Sequence, residues 1–388
     1  MGAVKLASEN NKIHIFYVDT GYKYDMAVTY GPKLGMLSQR FRGRVLTDGE
    51  PGFHKFGSIE VESLPLMKSK PLRVLRTLRF AFRYIKAQRR AGDPVQLIVS
   101  YDVLTTGVIA WILALRFGLP QLVEVNGDYT AWSNYADIAS PWKRRFKRWL
   151  YINVERFVLR RAGGIKLLYS RQLDYFRKSL PANSLSRVFP NFLDLSEFSN
   201  LGEDPKVVIV GFPFAVKGID IAIAAFRKVA PDFPEWSLEV LGWYPGDEKA
   251  LLDECIGDHS QIRHKTQIYK RDMPGYLGRA GVVLCASRTE GFPRVIKEAM
   301  QAAKACLVSD VGGLPDAIQH EVNGMLFRSE DVEDLAAKLR QLLGDAALRQ
   351  RLGERAADYA RAHYTTQSFV DNFGNLAAEV LARHGAAR

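Results

Sequence analysis

The stretch Ser287-Arg288-Thr289-Glu290-Gly291-Phe292-Pro293-Arg294-Val295-Ile296-Lys297-Glu298-Ala299-Met300 decides how this chain is read. It follows a short apolar run, Val282-Val283-Leu284-Cys285-Ala286, of the kind that forms a buried parallel strand. Pro293 suits the first position of a helix, where a fixed φ helps and the missing N–H is not needed. Beyond it, Val295, Ile296, Ala299, Met300 and Ala303 recur at helical spacing. The order is therefore strand, glycine-containing loop, helix N-terminus. In a doubly wound sheet that crevice receives ligands, and the free N–H groups of a first helical turn suit a phosphate. Glu290 in the loop and Glu298 about one turn inside the helix bracket the crevice. Ionised carboxylates only accept hydrogen bonds, so the pair suits a hydroxyl-rich ligand.

Working outward, further strand–helix alternation appears on both sides. Val207-Val208-Ile209-Val210-Gly211 reads as a strand, and Lys217-Gly218 precedes an amphipathic helix from Ile219 to Val229. Trp236 to Gly242 and Ala305 to Ser309 read as further strands, with a Gly312-Gly313 turn and closing helices from Asp331 and from Thr365 to Arg383. Towards the N-terminus, Ile13 to Val18, a strand near Arg44-Val45-Leu46, Gln96 to Ser100, Leu119 to Glu124 and Ile165 to Leu168 read as strands, with a helix from Leu34 to Gln39. Polar residues follow these strands: Gly21 and Lys23, Asp102, Asn126 and Asp128, and Ser170 and Arg171. Each alone suits a helix cap or a surface loop. Together, at the ends of parallel strands, they are candidates for a second binding edge.

At 388 residues the chain exceeds what one core usually serves, so two domains are expected. The Pro- and Gly-containing stretch from Phe189 to Pro205 is the linker candidate. It coincides with a shift in charge. Residues 1–200 hold 31 Lys and Arg against 16 Asp and Glu, a net of +15; residues 201–388 hold 23 against 26, a net of −3, giving the total of +12. Two stretches supply much of the excess. Lys68 to Arg90 is dense in Lys and Arg, interleaved with Leu and Phe and uninterrupted by any acid, and Trp142 to Tyr151 continues in the same vein to Arg161. Basic helices with Trp, Phe and Leu beside the cations lie in anionic membrane interfaces, or else pack on a sheet with solvated outer faces. No helix-turn-helix, zinc or RNA-recognition signature accompanies the charge, which argues against nucleic acid as the partner. The three cysteines, Cys255, Cys285 and Cys306, form no CxxC pair and are expected as buried free thiols of a reducing compartment. The longest uncharged run, thirteen residues between Asp102 and Arg116, is too short to span a bilayer, and the first twelve residues lack a signal-peptide core. A cytoplasmic protein is expected, peripheral on the inner face of the membrane.

Four blocks, in order, carry a resemblance: Gly211 with Lys217-Gly218-Ile219-Asp220; Glu290-Gly291-Phe292-Pro293 with Glu298-Ala299-Met300; Gly312-Gly313-Leu314-Pro315-Asp316; and Asn323-Gly324-Met325-Leu326. Over residues 205–365 the chain resembles the nucleotide-sugar domain of the retaining glycosyltransferases of family 4. The resemblance implies an α/β protein of the GT-B fold, with two Rossmann-like doubly wound domains facing a central cleft. The expected units are a basic acceptor-binding domain (1–200), a nucleotide-sugar domain (201–365), and a C-terminal helix (366–388) packing back on the first. It further implies transfer of a hexose from a UDP- or GDP-sugar; no DxD is well placed, so no cofactor or metal beyond that donor is expected, and the basic first half points to a lipid-linked or saccharide acceptor of cell-surface polysaccharide synthesis. Carried over residue by residue, Glu298 would accept from the ribose hydroxyls and Glu290 from the hexose. The N–H groups of Phe292, Pro293-flanked Arg294 and Val295 would take the diphosphate beside Gly291 and Gly211, and Lys217 would neutralise its developing charge. A sugar-nucleotide epimerase or a phosphorylase is the alternative on the same frame. Phe212 departs from the family pattern, which commonly has an arginine there; either another cation, such as Arg171 or Arg294, serves the phosphate, or catalysis is weaker than usual.

Overall fold

The computed structural model describes residues 11–19, 26–127, 129, 132–135, 138, 140–181, 184–266 and 268–386. It divides into two compact units, one of Met1–Phe192 with Thr366–Arg388 and one of Leu193–Thr365.

Among the described residues, the first unit carries eight strands: β1 (Ile13–Val18), β2 (Phe41–Gly49), β3 (Gly52–Phe56), β4 (Ile59–Pro65), β5 (Leu97–Ser100), β6 (Gln121–Glu124), β7 (Gly164–Leu167) and β8 (Ser186–Val188). They form one sheet in the order β3-β4-β2-β1-β5-β6-β7-β8. Among these strands β3 runs antiparallel to β4, and the other pairs are parallel. Successive residues of a strand point to opposite faces, and here both faces are covered. Ile15, Tyr17, Leu97 and Val99 enter a core shared with Phe369, Phe373 and Val380 of the helix Thr366–Ala386. Phe16, Val18 and Ile98 enter the opposite one, shared with Ala81 and Ile85 of the helix Lys70–Arg90 and Ile109 and Leu113 of the helix Thr105–Phe117.

Two expectations need correcting here. The first helix spans Met26–Leu37, well before Leu34, and it tolerates Pro32 within it. The strand around Val45 runs from Phe41 to Gly49 and continues into the β3–β4 hairpin, whose edge strand β3 buries no residue.

The second unit carries β9 (Asp204–Val210), β10 (Ser237–Leu241), β11 (Ile262–Lys265), β12 (Ala280–Cys285), β13 (Ala305–Ser309) and β14 (Met325–Phe327). All pairs are parallel, in the order β11-β10-β9-β12-β13-β14. That is the doubly wound order in which the strand sequence reverses once, between β9 and β12. Val207, Ile209, Val282 and Leu284 pack on one side with the helices Ile219–Val229 and Val332–Gly344. Val208, Val283 and Cys285 pack on the other with Ile296, Ala299 and Met300. The sites sought in the sequence lie past the carboxyl ends of β9 and β12, at that reversal.

A candidate nucleotide-sugar site at the strand reversal

The loop after β9 is shaped by two glycines. Gly211 has φ +152°, and a Cβ on it would stand 2.7 Å from Cγ of Lys217, so the lysine stem can lie against it only because no side chain intervenes. The Tyr244 hydroxyl donates to the Gly211 carbonyl at 2.7 Å. Gly218, at φ +62°, passes so near the end of β12 that a Cβ would meet the Ala286 carbonyl oxygen at 2.0 Å. The loop thereby delivers Lys217 to the end of β12.

There Lys217 Nζ donates to Glu290 Oε2 at 2.5 Å. Ser287 Oγ donates to the same oxygen at 3.1 Å, and Ser309 Oγ donates to the Ser287 carbonyl at 2.7 Å. Glu290 is thus held from two strand ends, β12 and β13. Gly312 approaches behind it, where a Cβ would meet the Glu290 carbonyl oxygen at 1.7 Å, and the Gly313 N–H donates to the Gly291 carbonyl at 2.8 Å. Arg288 fastens the two loops together. Its guanidinium forks onto Asp220 at 2.9 and 2.7 Å, donates to the Ala215 carbonyl at 2.6 Å, and reaches Glu330 at 3.1 Å. Sequence reasoning missed Ser287 and Arg288. Asp220 opening a helix and Arg288 closing a strand were visible separately, but only the β9–β12 pairing brings them together.

Pro293 is the capping residue, extended at φ −66° and ψ 132°, and the helix Arg294–Gln301 starts one residue later than the sequence suggested. A proline cap has no side-chain acceptor, so it satisfies none of the first-turn N–H groups of Arg294, Val295 and Ile296. Ile296, Ala299 and Met300 anchor the helix in the core. Phe292 packs edge-on against Tyr364, with Lys297 Nζ 5.1 Å from its ring centre. Glu298 is buried in the first turns of the same helix. Burial pushes its carboxyl above the ordinary value, against the pull of Arg294, Lys297 and Lys270. The Arg294 guanidinium lies 3.7 Å away. Arg294 is thus beside the carboxylate, while at the expected arginine position Phe212 is 48% exposed and pairs with Trp243, 64% exposed, at 6.5 Å.

In the first unit, the candidates follow adjacent strands β5, β6 and β7. Asp102 is committed locally: its Oδ1 accepts from the Leu104 N–H at 2.6 Å at the entry to the helix Thr105–Phe117, and burial raises its pKa. Asn126 donates to the Tyr101 carbonyl and accepts from Asn191 at 3.0 Å, tying three strand ends together. Ser170 and Arg171 are exposed at the start of the short helix Arg171–Phe176. Gly21, Lys23 and Asp128 lie outside the described residues. Of the cysteines, Cys285 and Cys306 are buried and Cys255 half-buried, all as free thiols; burial pushes the Cys285 thiol up to about 11.

The family model for glycosyl transferases group 1 matches residues 194–359, and that for the glycosyl transferase 4-like domain matches residues 34–191. Among curated relatives, an exopolysaccharide phosphotransferase of Streptomyces coelicolor is 30% identical over 181 residues, 44% of this chain but only 18% of that protein. Among solved structures, sucrose-phosphate synthase of Thermosynechococcus elongatus superposes with a TM-score of 0.76 at 20% identity, covering 96% of this chain and 100% of that one. HepE of Anabaena, solved in complex with UDP and glucose, gives 0.70 at 16% identity over the same shares. The two family models follow one another along nearly the whole chain and meet where its two units part, and the structural neighbours share both doubly wound sheets; the chain belongs to the GT-B glycosyltransferases of the family 4 type.

Proposed function

We propose that this protein is a retaining glycosyltransferase that moves a hexose from a nucleoside diphosphate sugar, UDP-linked in preference to GDP-linked, to a lipid-linked or saccharide acceptor of cell-surface polysaccharide synthesis. One observation carries the reading: Lys217 and Glu290, brought from two loops to the strand reversal at 2.5 Å, with the uncapped turn of Arg294–Gln301 and the buried Glu298 directly following. The UDP and glucose in HepE support the base and sugar class.

In this reading the N–H groups of Phe292, Arg294 and Val295 hold the diphosphate, Gly291, Pro293 and Gly211 shape its approach, and Glu298 accepts from the ribose diol. As the bond from the sugar's anomeric carbon to the diphosphate oxygen breaks, negative charge grows on the leaving group, and Lys217 neutralises it. The sugar becomes oxocarbenium-like, and Glu290 holds its hydroxyls. The acceptor oxygen forms the new bond on the same face and passes its proton to the departing diphosphate. Charge stabilisation by a fixed lysine makes the reaction metal-independent. Asn126, Asp102, Ser170 and Arg171 mark the acceptor edge. No helix among the described residues is long and apolar enough to cross a membrane; the basic first unit instead brings the enzyme to the cytoplasmic face of the membrane as a peripheral protein.

Thermal-shift titration with UDP, GDP and their sugars tests the donor side. UDP should raise the melting temperature, since a ligand at a hundred times its Kd stabilises by about 2.7 kcal/mol. Glu298→Ala should weaken UDP binding by about 1.5–3 kcal/mol, the range for a hydrogen bond to a charged group. Unchanged affinity in that variant would refute the ribose assignment.

A further inference from the structure

Three helices of the first unit line a largely apolar groove of about 290 Å³, open to solvent on one side, that the donor site does not use. Val74 comes from the helix Lys70–Arg90, Val108 and Ile109 from Thr105–Phe117, and Leu150 and Val154 from Pro141–Leu159. Ligand pockets for drug-sized molecules start near 300 Å³. This slot therefore suits a length of single chain better than a ring system, and its aliphatic lining offers such a chain little to hydrogen-bond.

Its position is specific. Leu104 and Thr105, which also line it, follow the carboxyl end of β5, and the Leu104 N–H is the group that Asp102 accepts from. The slot thus begins at the acceptor edge of the sheet and leads away from it. Tyr151, another lining residue, carries Lys147 Nζ over its ring at 5.6 Å, and Lys70 lies one helical turn before Val74. Outside the slot, the helix Pro141–Leu159 presents Trp142, Phe146 and Trp149 at 68, 56 and 59% exposure, with Phe146 and Trp149 stacked at 5.9 Å. They recur at i, i+4 and i+7 among Lys143, Arg144, Arg145, Lys147 and Arg148. Leu72 and Leu75 extend the exposed apolar surface on the neighbouring helix. Soluble surfaces rarely expose clustered aromatics, and cations beside them complement anionic lipid.

We infer that this slot holds the aliphatic chain of an anionic, phosphate-headed membrane lipid, with the aromatic stripe seated in the interface and Lys147 and Lys70 beside the phosphate. The headgroup of that lipid then lies at the acceptor edge, which makes the acceptor lipid-linked rather than a free saccharide. The inference rests on the transferase reading for the meaning of that edge, but lipid capture is measured without any transfer.

The test uses the full chain and vesicles of phosphatidylcholine with phosphatidylglycerol whose acyl chain carries a photoreactive diazirine. Binding should fall as salt rises, through screening of the basic helices. Crosslinks should map to Val108, Ile109 and Val154. Filling the slot with Val154→Trp should cut those crosslinks about tenfold, the loss expected when about two methylenes return to water, while Trp142→Ala with Phe146→Ala should weaken vesicle binding itself. Crosslinks confined to Trp142 and its exposed neighbours, or undiminished in Val154→Trp, overturn the slot. Limited proteolysis that leaves residues before Leu193 intact in every variant reports a folded first unit; loss of UDP-induced stabilisation in the unaltered chain counts against the donor reading and leaves the lipid result standing.

Discussion

Glu298 links burial to chemistry at a single atom pair. Its carboxyl is held above the ordinary value of 4.5, first by burial, with Arg294, Lys297 and Lys270 pulling the other way. A ribose diol donates hydrogen bonds, so it binds the ionised carboxylate and not the acid. The sign follows: binding UDP expels a proton from any protonated fraction, so affinity rises with pH through the raised pKa and levels above it. Calorimetric titration of UDP should show the Kd worsening on acidification from neutrality, beginning above 4.5 and by about tenfold per pH unit at most. Glu298→Gln should bind more weakly and lose that slope. A Kd that ignores pH in the native protein would sink the assignment. Phe212 frames the same site differently. With a ring where the family pattern has a guanidinium, and with Arg288 engaged by Asp220 and Glu330, the proposed mechanism assigns the charge of the leaving group chiefly to Lys217.

At the scale of elements, β7 holds the residue least expected of a buried strand. Lys166 lies fully buried 3.3 Å from the fully buried Glu124 of β6 and donates to Asn191 beyond β8. The Tyr17 hydroxyl donates to Glu124 at 2.5 Å, and Lys33 stands 3.6 Å from it. Burial pushes the Lys166 ammonium down to about 8 against the pull of Glu124, while Lys33 and Lys166 hold the Glu124 carboxyl below its usual value despite burial. The group is best seen as a clamp across β1, β6 and β7. Replacing one partner strands the other: Lys166→Met should cost about 3–5 kcal/mol in denaturant unfolding, and adding Glu124→Leu should restore much of it. A single-variant cost below about 1 kcal/mol would mean that water or Lys33 already satisfies Glu124.

The same elements show what a sequence discloses. The helix Ile219–Val229 and the strand Ala305–Ser309 were legible to the residue because apolar periodicity and burial coincide in them. The helix start at Met26 was not, because Pro32 reads as a terminator where the structure tolerates it. The edge strand β3 was hidden because it buries no residue and so carries no apolar face. The site was legible where its parts are contiguous, from Glu290 to Glu298. Its cross-loop ties, Arg288 to Asp220 and Lys217 to Glu290, join residues about seventy positions apart. Local spacing carries no signal of such pairs; for Lys217 and Glu290 only resemblance supplied one.

For the molecule as a whole, the decisive arrangement is that the chain ends in the unit where it began. The helix Thr366–Ala386 buries Phe369, Val370, Phe373, Leu376, Ala377 and Val380 in the core of the first unit. It lies so near the sheet that a Cβ on Gly164 of β7 would meet Val380 at 2.3 Å. Its Glu379–Arg187 ion pair at 2.8 Å is exposed and adds little. The apolar contacts matter more. Five side chains of Val, Leu or Phe size, at about 1.5–3 kcal/mol each, rival the roughly 5–15 kcal/mol that stabilises a whole domain. Neither core of the second unit includes a residue of this helix. A chain ending at Thr365 should therefore lose the first unit while keeping the second. Limited proteolysis should digest residues before Leu193 and spare a fragment from Leu193 to Thr365, and UDP should still stabilise that fragment in a thermal shift. Persistence of a protease-resistant first unit would show that its sheet closes without the returning helix; loss of both would show that the second unit depends on the first for its stability.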